Sequence, residues 1–208
     1  MRKLILFSIL LFSISNSDSQ FIKNFGLKGG FVIFLQHTYS DYGNNTGDGF
    51  DIGMFVECPF YKRFTSVFEI HYSDKGIGKG SPGISSPMPL GYSDYVDVNN
   101  KYQYLTFQAL AKYSFSKNYY GFYGILGVRE DLLLKNYYTG YYDIHETFTN
   151  GYFEFGPTLG AGYIFPFHFL LELQYCPNIT YMLKYNLNGN IINFRNNSFL
   201  FLCGFCFK

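Results

Sequence analysis

The chain has 208 residues, with a formal net charge of +1, 15% charged and 22% aromatic residues, and no Trp. That length allows one sizeable domain. The charge is too sparse to cover a soluble exterior of that size, against roughly 25% in ordinary soluble domains. No basic stripe is present, which excludes a nucleic-acid partner.

Residues 1–19 read as a signal peptide. Arg2 and Lys3 form a short basic region, "LILFSILLF" from Leu4 to Phe12 an apolar core, and Ser17 and Ser19 a cleavage site before Gln20. The apolar run is too short for a spanning helix, which needs about 20 residues. Removing residues 1–19 takes away Arg2, Lys3 and Asp18 and leaves a formally neutral chain.

Residues 20–208 read as a single all-β domain. Eight strands are predicted, at 25–37, 49–58, 63–73, 101–115, 119–133, 151–165, 168–181 and 197–207. Each carries Val, Ile, Tyr and Phe in a pattern of period two, bounded by Gly, Asn, Asp, Ser or Pro. In the fourth, Leu105, Phe107, Ala109, Ala111, Tyr113 and Phe115 oppose Tyr104, Thr106, Gln108, Lys112 and Ser114. The sixth sets Phe153, Phe155, Leu159, Ala161, Tyr163 and Phe165 against Glu154, Gly156, Thr158, Gly160 and Gly162. In the seventh, Leu171 and Leu173 oppose Glu172 and Gln174. Phe34, Tyr123 and Ile125 break the pattern by falling on the polar face.

The connections alternate in length. Long ones, 38–48, 74–100, 134–150 and 182–196, follow the odd-numbered strands, and short ones, 59–63, 116–118 and 166–167, follow the even ones. Transmembrane barrels alternate in this way, with short turns on the periplasmic side and an even strand count. The expected fold is therefore an eight-stranded antiparallel up-and-down transmembrane β-barrel with both termini periplasmic. Residues 74–100, with three Pro and five Gly, are expected to form an exposed outer loop.

Alternation alone would also suit a soluble lipocalin-like barrel with its apolar face inward. Composition separates the two. The polar faces are rich in Gly and Thr with single charges, which suits the interior of a narrow barrel, while the aromatic load suits an outward band with girdles. The runs "NYYGFY" at 118–123 and "NYYTGYYD" at 136–143 are assigned to such girdles.

Several stretches together are similar to one family. "FGLKGGF" at 25–31, "FEIHYSDKG" at 68–76, "YLTFQALAKYSF" at 104–115, "FGPTLGAGYIF" at 155–165 and the aromatic last strand span nearly all of residues 20–208. In order and spacing they resemble the porin-like, eight-stranded outer-membrane β-barrel domain family of Gram-negative bacteria, which includes PorT-type proteins. The resemblance implies an outer-membrane location and no particular activity.

Motifs for chemistry are few. Cys203 and Cys206 form a C-x-x-C, yet in a strand they point to opposite faces about 10 Å apart, beyond disulfide reach. Cys203 is expected outside with Phe199, Phe201, Phe205 and Phe207, and Cys206 inside. Glu69 and His71 share a face, as a base and its orienter would, but no motif adds a Ser or second carboxylate. The expected set of catalytic, cofactor-binding and metal residues is thus none, and no cofactor is implied. Inward charges are Lys28, Asp51, Glu57, Glu69, Lys112, Arg129, Asp131, Glu154 and Glu172. They read as an ion-paired plug, with Arg129 pairing with Glu154. The expected function is a non-enzymatic envelope scaffold, an adhesion protein or a secretion-apparatus component. A small porin-like channel and an outer-membrane lipid-modifying enzyme are the alternatives. Expected partners are outer-membrane lipid and other envelope or secretion proteins.

Overall fold

The computed structural model describes residues 22–38, 44–77, 99–117, 119–139, 149–150, 153–180, 183–187 and 190–207. Ten strand segments occupy them: β1 (Asn24–Thr38), β2 (Asn44–Tyr61), β3 (Phe64–Ile77), β4 (Asn99–Ser114), β5 (Gly121–Thr139), β6 (Thr149–Asn150), β7 (Phe153–Ile164), β8 (Phe169–Pro177), β9 (Leu183–Leu187) and β10 (Asn190–Phe207). They make a single antiparallel sheet in which β1 also pairs with β10, so the sheet closes. β6 pairs with β9, and β7 with β8. β6 and β7 therefore lie along one strand line and β8 and β9 along the next, and the barrel has eight strands.

The β7–β8 ladder ends for a local reason. Continuing the β7–β8 register two residues beyond Leu159↔Tyr175 would set Pro157 opposite Pro177. Neither proline has an N–H to give to a ladder. The chain at Asn178–Thr180 makes other bonds instead: Ile179 N donates to Phe155 O at 2.8 Å, and Phe155 N to Thr180 Oγ1 at 2.8 Å.

Register fixes the shape. One circuit runs from Asp131 through Thr106, His71, Gly53, Lys28, Gly204, Leu170 and Ile164, and returns to β5 at Gly121. The ten-residue displacement is the stagger of the closed sheet, and with eight strands it sets a tilt of about 45°. The interior is then just wide enough for side chains to fill.

Side chains divide as the period of two dictates. Phe31, Met54, Leu126, Leu159, Leu171 and Phe201 are among the large apolar residues left exposed on the outside. The inward positions hold the buried charges, the reverse of a water-soluble core. Around the short-turn end, ring contacts run Phe60–Phe64–Tyr113–Phe115 and Phe122–Tyr163–Phe165–Phe169, and Phe205–Phe207–Phe25 continues the belt near the termini.

Several expectations are corrected. The strands reach further into the predicted long connections: β2 begins at Asn44, β3 runs to Ile77, β5 to Thr139, and β9 and the start of β10 lie within 182–196. The signal segment 1–19 and most of the 74–100 loop lie outside the described residues. "NYYGFY" is only partly a girdle. Phe122 is exposed, but Tyr123 is buried, and Tyr119 and Tyr120 pack against an internal apolar cluster. Phe34 and Ile125, the pattern-breakers, are also buried inside. They fill space opposite small residues: a Cβ added at Gly47 would overlap the Phe34 ring, and one at Gly162 would overlap Tyr123.

Candidate functional site

The lumen holds a dense set of charged side chains. Asp51, Glu57, Glu69, Asp131, Glu154 and Glu172 are buried there with Lys28, Lys75, Lys112, Arg129 and His71. Burial of a charge is costly unless it is paired and hydrogen-bonded, and the network meets that requirement in layers.

At the short-turn end, Glu57 accepts from Lys112 Nζ, from Asn24 Nδ2 at 2.9 Å and from Tyr119 OH at 3.1 Å. Above it, Lys28 Nζ lies between Glu69 Oε1 at 2.5 Å and Glu172 Oε1 at 2.7 Å. Tyr123 OH and Gln174 Nε2 both donate to Glu172 at 2.7 Å. His71 bridges two carboxylates, with Nε2 at 3.0 Å from Glu69 Oε2 and Nδ1 bonded to Asp51, whose other oxygen accepts from Ser73. Each ring nitrogen thus faces a carboxylate oxygen, and the imidazole is held at both ends.

Towards the long-loop end, Arg129 Nε donates to Asp131 Oδ1 at 2.8 Å and Nη2 to Thr106 Oγ1 at 3.3 Å. Lys75 Nζ donates to Asp131 Oδ2 and Ser198 Oγ, each at 3.3 Å, and lies over the Tyr104 ring. Glu154 accepts from Tyr104 OH at 2.7 Å, Asn196 Nδ2 at 3.2 Å and Asn178 Nδ2. The expected Arg129–Glu154 pair therefore does not form. Register sets Arg129 opposite Gly156 and Asp131 opposite Glu154, and the guanidinium turns along its own strand to Asp131.

All nine inward charges expected from the sequence face the lumen. Lys75 lies beyond the predicted end of the third strand at residue 73, and the bonds of Asp51 with His71 and Ser73 depend on the β2–β3 register. The alternation Glu69, His71, Ser73, Lys75 carries straight on and was the available signal. His37 and His145 lie outside the described side chains, and His168 sits in the β7–β8 turn beside Tyr120.

Chemically, the Ser73–Asp51–His71 cluster is wired for support. A nucleophilic serine needs its hydroxyl on the histidine. Here it is on the carboxylate, both imidazole nitrogens are occupied, and all three residues are at most 1% exposed. Among the described residues no group of three or more His, Cys, Asp or Glu is arranged to hold a metal ion. All four cysteines are free, with Cys203 exposed and Cys206 buried, on opposite faces as their spacing requires. A small void of about 10 Å³ lies between the Glu57–Lys112 and Lys28–Glu69 layers, room for about one water molecule.

A closed eight-stranded barrel, apolar outside and charged inside, is the architecture of an outer-membrane protein. The family model for the outer membrane protein beta-barrel domain matches residues 16–184, and the chain belongs to that family. It is an integral outer-membrane β-barrel protein. No curated protein matches it. Among solved structures, Neisserial surface protein A is similar at 16% identity, with 87% of this chain and 96% of that chain covered and a TM-score of 0.49. Ail, the attachment invasion locus protein of Yersinia pestis, matches at 14% identity over 88% and 98%, with a TM-score of 0.43. OprG from Pseudomonas aeruginosa matches at 13% identity over 88% and 95%, with a TM-score of 0.46. Likeness at these levels carries nothing about role.

Proposed function

We propose that the protein is a closed, non-enzymatic scaffold of the outer membrane, with its outward band in lipid, both termini periplasmic, and its biological contacts made by the long connections. The observation that carries this reading is the filled lumen. Arg129, Gln174, Thr106 and Lys75 span its width at no more than 1% exposure, and the void below them has room for about one water. A conducting pore needs a continuous aqueous path, and an enzyme needs a polar group that substrate can reach. The sealed network supports neither alternative. The PorT-type resemblance extends the proposal to a part in an envelope or secretion apparatus, which co-purification of defined envelope proteins after cross-linking would test.

Planar-bilayer recording tests the closed lumen directly. The purified barrel is expected to insert without conductance steps in 1 M KCl. Stable unitary steps in the wild-type protein would make it a channel and overturn the scaffold reading.

A further inference from the structure

We propose that the short-turn end carries a docking patch for anionic phospholipid headgroups, built from Lys62, Arg63 and Lys117 and set among Phe60, Tyr61 and Phe115. The two turns that hold it are neighbours because β3 pairs with β4. Arg63 Nη1 donates to Phe115 O at 3.3 Å and ties one turn to the other. Lys62 and Lys117 are exposed, and Lys62 Nζ lies 5.3 Å from the centroid of the Tyr61 ring. Lys62 has φ 36°, a left-handed conformation that glycine takes without steric strain and a lysine does not. A strained backbone that keeps a charged side chain is a pointer to function.

The sign of the charge selects the partner. The carboxylate nearest this end, Glu57, is buried and held by Lys112, Asn24 and Tyr119. Exposed charge at this end is therefore positive among the described residues, with Lys23 adding to it. At the opposite end the outward charges are mixed: Asp48, Asp74 and Glu130 stand with Lys101 and Lys135. Continuity then selects lipid over a soluble acidic partner. Phe60, Tyr61 and Phe115 are 61%, 58% and 60% exposed, and Phe60 and Phe115 join the aromatic belt through Phe64 and Tyr113. Aromatic rings at the interface with basic side chains just beyond them match the acyl boundary and the phosphates of one leaflet. The patch rests on the proposed orientation only for which leaflet it meets, the periplasmic one.

The test is a titration of the delipidated, detergent-solubilised barrel with phosphatidylglycerol and, separately, phosphatidylethanolamine, with bound lipid read by native mass spectrometry. Wild type is expected to retain phosphatidylglycerol preferentially. Lys62→Gln with Lys117→Gln should weaken that retention by about fivefold per lysine, and Lys62→Arg with Lys117→Arg should keep it. Lys101→Gln with Lys135→Gln, at the other end, should leave it unchanged. Equal retention of the two lipids by wild type, or equal loss from both glutamine pairs, overturns the proposal. Binding of a deca-glutamate peptide without a lipid preference would make the patch a protein-docking surface and also overturn it. Orientation is read separately by labelling Ser116→Cys, in a background without native cysteines, with an impermeant maleimide. Labelling of intact cells would invert the leaflet while leaving the detergent titration untouched.

Discussion

Gln108 is 1% exposed, and neither atom of its amide has a protein hydrogen-bond partner among the described residues. It stands in register between Glu69 and Arg129, whose charges are already taken by other partners. Replacing it with the similar-sized Met removes two unsatisfied groups at little change in volume. Gln108→Met is expected to be neutral or to stabilise by about 1 kcal/mol, since an unpaired buried polar group costs about 1–3 kcal/mol. Urea unfolding followed by the compact-to-extended gel shift measures it, and a loss above about 2 kcal/mol would mean the amide has an essential partner. Asp131 is the opposite case. It holds Arg129, Lys75 and Thr106 together, so Asp131→Asn leaves two buried cations short of a counter-charge and should cost about 3–5 kcal/mol. Glu154 is held by neutral donors only, among the bonds it makes. Glu154→Gln keeps an acceptor for them and should cost about 1 kcal/mol. Equal losses from the two changes would restore the Arg129–Glu154 pair that the sequence had led one to expect. That pair illustrates what sequence could not give. Which residues face inward follows from a period of two, but which inward charges touch depends on register and on rotamers, and both lie beyond the strand pattern.

At the level of the strand, the outward and inward sets were readable almost completely, because each strand has one face to bury and a single slip exchanges the two. Leu171 and Phe201 are about half exposed on the outside, while Glu172 and Leu202 are buried inside. The exceptions were readable too, but only with their partners in view. Tyr123 belongs inside because Gly162 opposite has no side chain to meet it and Glu172 accepts its hydroxyl. Tyr119 and Tyr120 were misassigned because they lie in a turn, where no period operates. The end of the β7–β8 ladder short of Pro157 and Pro177 follows from the prolines themselves once the register is known. A direct test of the face assignment uses β8. Leu171→Arg places a charge on the outward band, and near mid-bilayer it is expected to cost about 2–4 kcal/mol. Leu171→Met conserves volume and polarity and should cost under about 1.5 kcal/mol. Folding into lipid vesicles, titrated with urea, separates them; equal stability of the two variants would place Leu171 away from lipid.

Closure makes the whole molecule depend on its two ends. β1 has β2 on one side and β10 on the other, from Phe25↔Phe207 to Thr38↔Phe194. Residues nearly the full chain length apart must therefore meet before either edge is satisfied. A sheet open at this seam would leave a row of unpaired N–H and C=O groups on β1 and on β10, an edge that pairs with other chains in water and is not tolerated in lipid. The interior network adds to this dependence, since Lys28 on β1 is held from β3 and β8 at once. Deleting residues 198–208 removes Leu200, Leu202 and Cys206 from the inner packing and most of the partner of β1. The shortened chain is expected to aggregate and to give no compact, heat-modifiable band after refolding. Replacing residues 78–98 with a short Gly-Ser linker is expected to behave differently. The β3–β4 ladder runs from Phe64↔Tyr113 to Ile77↔Asn100, and every described ladder bond lies outside the replaced stretch. Each doubling of loop length changes closure cost by only about 0.6 kcal/mol, so the unfolding midpoint in urea should stay close to wild type. If the linker variant unfolds as readily as the truncated one fails to fold, the long connection is part of the barrel's support, and its assignment as the outward working segment is lost.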